Sequence, residues 1–113
     1  MTIESDIPDT LRLELRRGCL TLAVLGLLRT EHYGYTLRKA LAARGVEIDE
    51  GALYPMLRRL NAQGVLTSDW REEDKRNKRF YRLSADGEAL LARLQQDWRA
   101  LNAALDGILK ETP

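Results

Sequence analysis

The spacing of apolar residues along the chain predicts four helices. The first helix has a candidate N-cap at Asp9 or Thr10 and runs to about Arg29. Its second half is apolar nearly all round, which is typical of a helix covered on several sides. We therefore expect that half to form the centre of the core, with Cys19 buried in it.

A second, shorter helix follows a break at residues 30–34 and spans about Tyr35 to Arg44. Gly45 is expected to end this helix as its C′ residue, because glycine adopts a positive φ without strain. The next segment, Val46 to Ile48, alternates apolar and polar side chains and is β-compatible.

A third helix is predicted over Glu50 to Gln63, with Asp49 as its N-cap and Gly64 as its stop. Pro55 lies six residues past that cap and removes one backbone hydrogen bond. The sequence therefore predicts either a kink at Pro55 or a helix that starts later.

Two strand-forming segments come next, Val65 to Arg71 and Arg79 to Leu83. The polar stretch Glu72 to Lys78 lies between them and predicts a hairpin with a long charged tip, in which Asn77 can adopt a positive φ. Four basic side chains lie at or beside this tip: Lys75, Arg76, Lys78 and Arg79.

The last helix is expected from Ala85 to Leu109 or Lys110, capped by Ser84. Its apolar residues recur at steps of three and four, the a and d positions of a heptad. A helix of this length must overhang a compact body, and an overhanging apolar seam is most simply covered by a second copy. The seam, and thus the predicted dimer interface, comprises Leu91, Leu94, Trp98, Leu101, Leu105 and Ile108.

These elements predict a mainly α fold: a winged helix-turn-helix, with three helices and a two-stranded β-hairpin wing, followed by a long C-terminal dimerisation helix. Residues 1–9 are expected to form a flexible arm, residues 10–84 the winged helix-turn-helix domain, and residues 85–110 the dimerisation helix.

Composition excludes several kinds of site. One Cys and one His exclude an internal disulfide and a four-ligand Cys/His zinc site, and we expect no metal or other cofactor. We see no nucleophile with a base, no phosphate loop and no paired carboxylates, so an enzyme is not expected. The longest apolar run, Cys19 to Leu28, is about half of a membrane span, and no cleavage site follows it. A cytoplasmic protein without a membrane partner is therefore expected.

Charge is unevenly distributed. The 113 residues carry a net charge of +1, but residues 51–82 hold eight basic and four acidic side chains. This basic segment contains the third helix and the wing, the two elements with which such a fold can contact DNA. Arg58 and Arg59 would reach base edges, Gly51 and Ala52 would allow close approach, and the hydroxyl of Tyr54 could donate to a phosphate.

Several segments carry a resemblance to a known family. The strings Gly34-Tyr-Thr-Leu, Glu50-Gly-Ala-Leu-Tyr-Pro-Met-Leu-Arg-Arg-Leu, Gly64-Val-Leu-Thr-Ser-Asp-Trp and Arg79-Phe-Tyr-Arg-Leu-Ser-Ala-Asp-Gly resemble the PadR family of transcriptional regulators, in its short subfamily with one C-terminal helix. The resemblance implies a homodimer that binds operator DNA as a repressor and releases it on binding a small effector. The wing departs from the pattern, because it lacks the glycines often found at the tip.

The resemblance also implies an effector site. A Trp on the last helix of small members stacks flat aromatic ligands at the dimer centre, and Trp98 lies at the matching place. Trp98 could instead be plain dimer core. The first helix would supply the other wall through Arg17, Gly18 and Thr21. Tyr35 is expected either to lie in the core or to contact a phosphate.

The leading hypothesis is thus a dimeric regulator that binds double-stranded DNA, with a flat aromatic effector. The alternative is a winged-helix protein-interaction module that binds no DNA.

Overall fold

The computed structural model describes residues 6–111, with side chains from Asp9 onwards. The predicted mainly helical winged helix-turn-helix with a long last helix is confirmed. The elements in chain order are α1 (Asp6–Leu27), α2 (Gly34–Ala43), α3 (Glu50–Ala62), β1 (Leu66–Glu73), β2 (Arg76–Leu83) and α4 (Ala85–Lys110).

α1 begins earlier than predicted. It starts at Asp6, so the cap predicted at Asp9 or Thr10 is wrong, and residues 6–9 of the predicted arm are helical. Pro8 permits this start because it lies in the first turn, where a backbone N–H has no intrahelical acceptor. The rest of the predicted arm, residues 1–5, lies outside the described residues.

The end of α1 forms the centre of the core, as predicted. Val24, Leu25 and Leu28 are fully buried among leucines of α2 and α3. Cys19, by contrast, is exposed, so its predicted burial is wrong. α1 leaves the packed body near that position, and Leu15, one turn earlier, is exposed as well.

The same glycine motif ends both α2 and α3. The N–H of Val46 donates to the carbonyl of Leu41 at 2.9 Å, and Gly45 has a φ of 82°. Gly64, with a φ of 79°, ends α3 in the same way. This six-to-one hydrogen bond is the Schellman cap. The β-compatible segment Val46 to Ile48 forms no strand, and its first N–H completes the cap of α2.

α3 begins at Glu50 and runs through Pro55 to Ala62. The side chain of Asp49 accepts a hydrogen bond from the N–H of Ala52 at 2.8 Å, which confirms the predicted cap. The alternative prediction of a helix that starts later is wrong. The missing hydrogen bond is outweighed by a fully packed inner stripe, Leu53, Leu57 and Leu60.

The wing is longer and its tip shorter than predicted. β1 and β2 pair without a bulge from Leu66↔Leu83 to Glu73↔Arg76, which leaves a two-residue turn. Its residues, Asp74 and Lys75, have φ values of 52° and 63°. These values are those of a type I′ turn, whose twist matches that of the strands. The predicted seven-residue tip and the positive φ at Asn77 are wrong, because this turn replaces both.

α4 is fixed to the body at its first turn. The hydroxyl of Ser84 accepts from the N–H of Gly87 at 3.0 Å, as predicted, and donates to the carbonyls of Gly64 and Val65. A Cβ on Gly87 would lie 2.0 Å from the carbonyl oxygen of Val65. Residue 87 must therefore be glycine to allow this close approach. The contacts of Ser84 and Gly87 together connect the ends of α3 and β2 to the start of α4.

Candidate nucleic-acid interface

The outer face of α3 is small at its start and basic at its end. Gly51 and Ala52 are exposed in the first turn, and Tyr54 is half-buried behind them. Arg58 and Arg59 are exposed one turn further, and neither forms an ion pair within the described part of the chain. All five residues that the sequence singled out on this helix therefore lie on or beside one accessible face.

The four wing cations fall into two groups. Lys75 and Arg76 are exposed at the turn, and neither is ion-paired among residues 9–111. Lys78 and Arg79 lie in β2, half-buried, and point to opposite faces of the hairpin. The structure therefore does not bring the four together at one tip.

Lys78 is held by its own chain. Its side chain is only 16% exposed, and Nζ donates to the Tyr33 hydroxyl at 3.3 Å and to Glu73 at 3.5 Å, with Asp74 at 3.8 Å. The same Nζ lies 4.5 Å from the centre of the Tyr33 ring. Burial acts to lower the pKa of Lys78, but Tyr33 and Glu73 outweigh it and raise the pKa. This ammonium is charged and already partnered.

Arg79 is held on the other face of the wing. Nε donates to the hydroxyl of Ser68 at 3.1 Å, and the guanidinium lies 5.7 Å from the ring centre of Trp70 and 5.3 Å from that of Tyr81. These contacts orient the guanidinium between two rings, one of which, on Trp70, is exposed.

Arg71 anchors the base of the wing to the segment before α2. It pairs with Glu31 and with Asp69, and its guanidinium lies 3.8 Å from the ring centre of Phe80. The hydrogen bond that Arg71 donates to Glu31 is the main cause of its raised pKa. Phe80 in turn meets Tyr33 edge-on at 5.2 Å. Sequence reasoning missed Tyr33 in this role, since its partner Lys78 lies 45 residues away along the chain.

Tyr35 lies at the start of α2 and is 53% exposed, so the core position left open for it is wrong. Its ring stacks on Tyr33 at 6.4 Å, and Lys39 lies 5.3 Å from its centre. Sequence reasoning missed Lys39, although the four-residue spacing from Tyr35 on a helix was a usable signal.

The family model described as "Transcriptional regulator PadR-like family" matches residues 23–93, which include α2, α3, the wing and the packed ends of α1 and α4. The chain belongs to the PadR family. It is therefore a DNA-binding transcriptional regulator and not an enzyme, as predicted. Membership also decides against the alternative of an interaction module without DNA binding.

Individual relatives and solved structures are consistent with this family. The chain is 37% identical over 89 residues to the transcriptional regulator Rv3488 of Mycobacterium tuberculosis, covering 78% of this chain and 80% of that protein. Among solved structures, a PadR family transcriptional regulator from Eggerthella lenta superposes with a TM-score of 0.88 at 37% identity, over 95% of this chain and 96% of that one. A PadR-like transcription factor from Bacteroides fragilis gives a TM-score of 0.74 at 28% identity, over 88% and 98%.

A groove beside Trp98 lies at the other end of this PadR chain. It has a volume of about 380 Å³ and is lined by α1 and α4. Its α1 wall follows one helical stripe, namely Cys19, Leu22, Ala23 and Gly26. The predicted wall residues Arg17, Gly18 and Thr21 are not brought to Trp98 within one chain, because they lie on a neighbouring face of α1.

The apolar seam of α4 divides into two parts. Leu91 is buried in the core of its own chain, and Leu94 packs against that core. From Trp98 onwards the seam is uncovered, with Trp98 46% and Leu101 64% exposed, followed by Leu105 and Ile108. The surface open to a second copy is therefore shorter than the predicted six positions. Among the described helices, none is long and apolar enough to cross a membrane.

Proposed function

We propose that this PadR regulator is a dimeric repressor that reads operator DNA with α3. The observation that carries the proposal is the outer face of α3, where Arg58 and Arg59 are exposed, without an ion pair among residues 9–111, behind the small residues Gly51 and Ala52. A helix with such a face can enter the major groove, where base edges are distinguishable. Arginine is the side chain that contacts guanine most often, through two hydrogen bonds.

Phosphate contacts are proposed on both sides of that helix. Lys75 and Arg76 project from the two-residue turn of the wing, with no carboxylate partner in the described chain, and are suited to the DNA backbone or the minor groove. Tyr35 is exposed and Tyr54 is half-buried, and the hydroxyl of each can donate to a phosphate oxygen. In this proposal Lys78 and Arg79 mainly fix the wing, because their own chain already partners them.

Dimerisation is proposed through the distal half of α4. Its exposed seam from Trp98 to Ile108 has the spacing of a coiled coil, and a second copy would cover it with the same residues. Two copies would present two α3 helices to successive major grooves of a symmetric operator.

Release of DNA is proposed to follow the binding of a flat aromatic effector at the dimer centre. The support is the exposed ring of Trp98 and the mostly apolar groove next to it, whose volume of about 380 Å³ suits a small ligand. An aromatic ligand would stack on the indole, and the effector would act by changing the separation of the two reading helices.

Replacing Arg58 and Arg59 together by Ala tests the reading face. We expect operator affinity to fall at least tenfold, since each base or phosphate contact is worth about 1–3 kcal/mol, while the dimer and its melting temperature stay unchanged. Arg93→Ala with Lys110→Ala is the matched control, because it removes two exposed cations from α4. Gel-shift titrations measure both. Equal affinity of the two double variants would show that α3 is not the reader.

A further inference from the structure

The outer edge of the wing is covered only near its base. Tyr81 in β2 exchanges two backbone hydrogen bonds with His32, at 2.8 and 3.0 Å, on the side of the strand away from β1, and the N–H of Leu83 donates to the carbonyl of Leu28 on the same side. His32 is held there by Thr36, whose hydroxyl lies 3.1 Å from Nδ1, and partial burial lowers the pKa of the imidazole. Beyond Tyr81, towards the tip, no described residue pairs with this edge.

The register of the hairpin decides which backbone groups face this edge. In an antiparallel pair, the N–H and C=O of successive residues point alternately towards and away from the partner strand. Since Tyr81 points away from β1 and the pairing has no bulge, Arg79 and Asn77 point away from it too. Within the described chain, the wing therefore presents two free N–H donors, about 7 Å apart along β2, together with the two carbonyl oxygens of the same residues.

Asn77 and Arg79 both line the groove between the wing and α3. It has a volume of about 520 Å³, and its lining includes Asn77, Arg79, Tyr54 and Arg58. Three of the described residues that line it are cations, and none is a carboxylate. The two carbonyls on this edge disfavour an anion, but the three cationic side chains, with no carboxylate among the lining residues described, favour one. The cations, the N–H donors and the hydroxyl of Tyr54 together suit an anion with several acceptor oxygens, such as a phosphodiester.

We propose that this groove holds the sugar–phosphate backbone of one operator strand, with the N–H groups of Asn77 and Arg79 donating to phosphate oxygens. The inference rests on the proposed docking of α3 and adds a specific contact to it. The strand in question is the one that separates the major groove read by α3 from the minor groove beside the wing. Backbone donors fix the register of the protein on the duplex without reading sequence.

Asn77→Pro tests the contact, with Asn77→Ala as its matched control. Proline removes the N–H and is tolerated at a strand edge where that N–H makes no ladder bond. Alanine keeps the N–H and removes the side chain. We expect Asn77→Pro to weaken operator binding about tenfold or more relative to Asn77→Ala, the size expected of a hydrogen bond to a charged group. Equal affinity of the two variants would overturn the proposal.

A second measurement tests the contact in the wild type and in Asn77→Ala, so that most of its result does not depend on how well the proline variant folds. Replacing single operator phosphates by neutral methylphosphonates should reveal at least one sensitive phosphate per half-site, on the strand between the major groove read by α3 and the minor groove beside the wing. The loss of operator affinity caused by the methylphosphonate should be the same for the wild type and for Asn77→Ala. The loss should be smaller for Asn77→Pro. If the methylphosphonate causes no loss of affinity in Asn77→Ala, the contact belongs to the side chain of Asn77, which would contradict the proposal.

The outcomes separate this inference from the proposed function. If Arg58→Ala with Arg59→Ala has no effect on operator binding, the reading face is wrong. If that variant loses affinity but no methylphosphonate in the wing region matters, only the groove contact is wrong. Binding of an extended peptide along this edge, detected as protection of the Arg79 amide from hydrogen exchange without DNA, would also contradict the assignment to a phosphate.

Discussion

The two ends of the molecule expose opposite kinds of side chain. At the end formed by α3 and the wing, the exposed large side chains include Arg58, Arg59, Lys75 and Arg76, none of which is ion-paired among residues 9–111. At the distal end of α4 the exposed large side chains include a row of apolar ones, namely Trp98, Leu101, Leu105, Ile108 and Leu109. One end is suited to a polyanion and the other to an apolar partner.

The comparison shows that the same sequence pattern can have two outcomes. A single heptad seam runs along α4, but Leu91 is buried by its own chain while Leu101 is not. Likewise the basic segment contains exposed cations such as Lys75 and cations such as Lys78 that are held within the chain. What decides the outcome is the presence of a neighbour in the fold.

The largest expected effect comes from placing charge on the uncovered seam. Trp98→Glu with Leu101→Glu should give a monomer, because the apolar contact of two α4 helices would have to bury unpartnered carboxylates. Operator affinity should then fall by about 10²-fold or more, since the two half-sites are no longer bound by one particle. Light scattering gives the mass, and gel shift gives the affinity.

The matched control for that variant is Gln96→Glu with Ala103→Glu. Both residues are exposed on α4, away from the seam, and the added charge is the same. This control should remain dimeric. A dimeric Trp98→Glu/Leu101→Glu protein would place the interface elsewhere.

The next largest effect concerns the junction that attaches α4 to the body. Gly87→Ala should lower the free energy of unfolding by about 2–3 kcal/mol, because its Cβ would collide with the backbone carbonyl of Val65. Gly107→Ala, on the same helix with open space around it, should raise the free energy of unfolding by about 0.5–1 kcal/mol. Urea unfolding distinguishes the two. An unchanged free energy of unfolding in Gly87→Ala would mean that this junction is loosely packed.

The smallest expected effect separates the exposed wing cations from the held one. Lys75→Ala with Arg76→Ala should weaken operator binding and reduce the slope of log K against log salt by about one for each phosphate that the two side chains neutralise. Lys78→Met should leave that slope nearly unchanged and lower the melting temperature of the free protein instead, since its ammonium is bound by Tyr33 and Glu73. The reverse pattern would show that Lys78 is the phosphate contact.

Much of the fold could be predicted because its signals are local. Asp49 and Ser84 are helix caps, Gly45 and Gly64 end helices, and each acts within a few residues of itself. The tip of the wing could not be predicted, because Asp74-Lys75 lacks the glycine that usually marks the second position of a type I′ turn. There the pairing of the flanking strands imposes the conformation.

The candidate site was predictable in its residue types and less so in their roles. Arg58 and Arg59 follow from the helical period, since the inner stripe fixes which face is outside. The partners of Lys78 and Arg71 could not be found in this way, because Tyr33 and Glu31 come from a distant segment. The exposure of Cys19 was missed for a related reason, since the period gives a helix face but not where the body ends.

Whether a dimer reads DNA with two copies of α3 can be tested by selecting binding sites for the wild-type protein from random-sequence DNA. We expect enrichment of an inverted repeat whose half-sites lie about one helical turn, or a multiple of it, apart. The Trp98→Glu/Leu101→Glu protein should enrich at most a single half-site. Enrichment of one asymmetric site by the wild type, or of no sequence at all, would show that two α3 helices do not read DNA together.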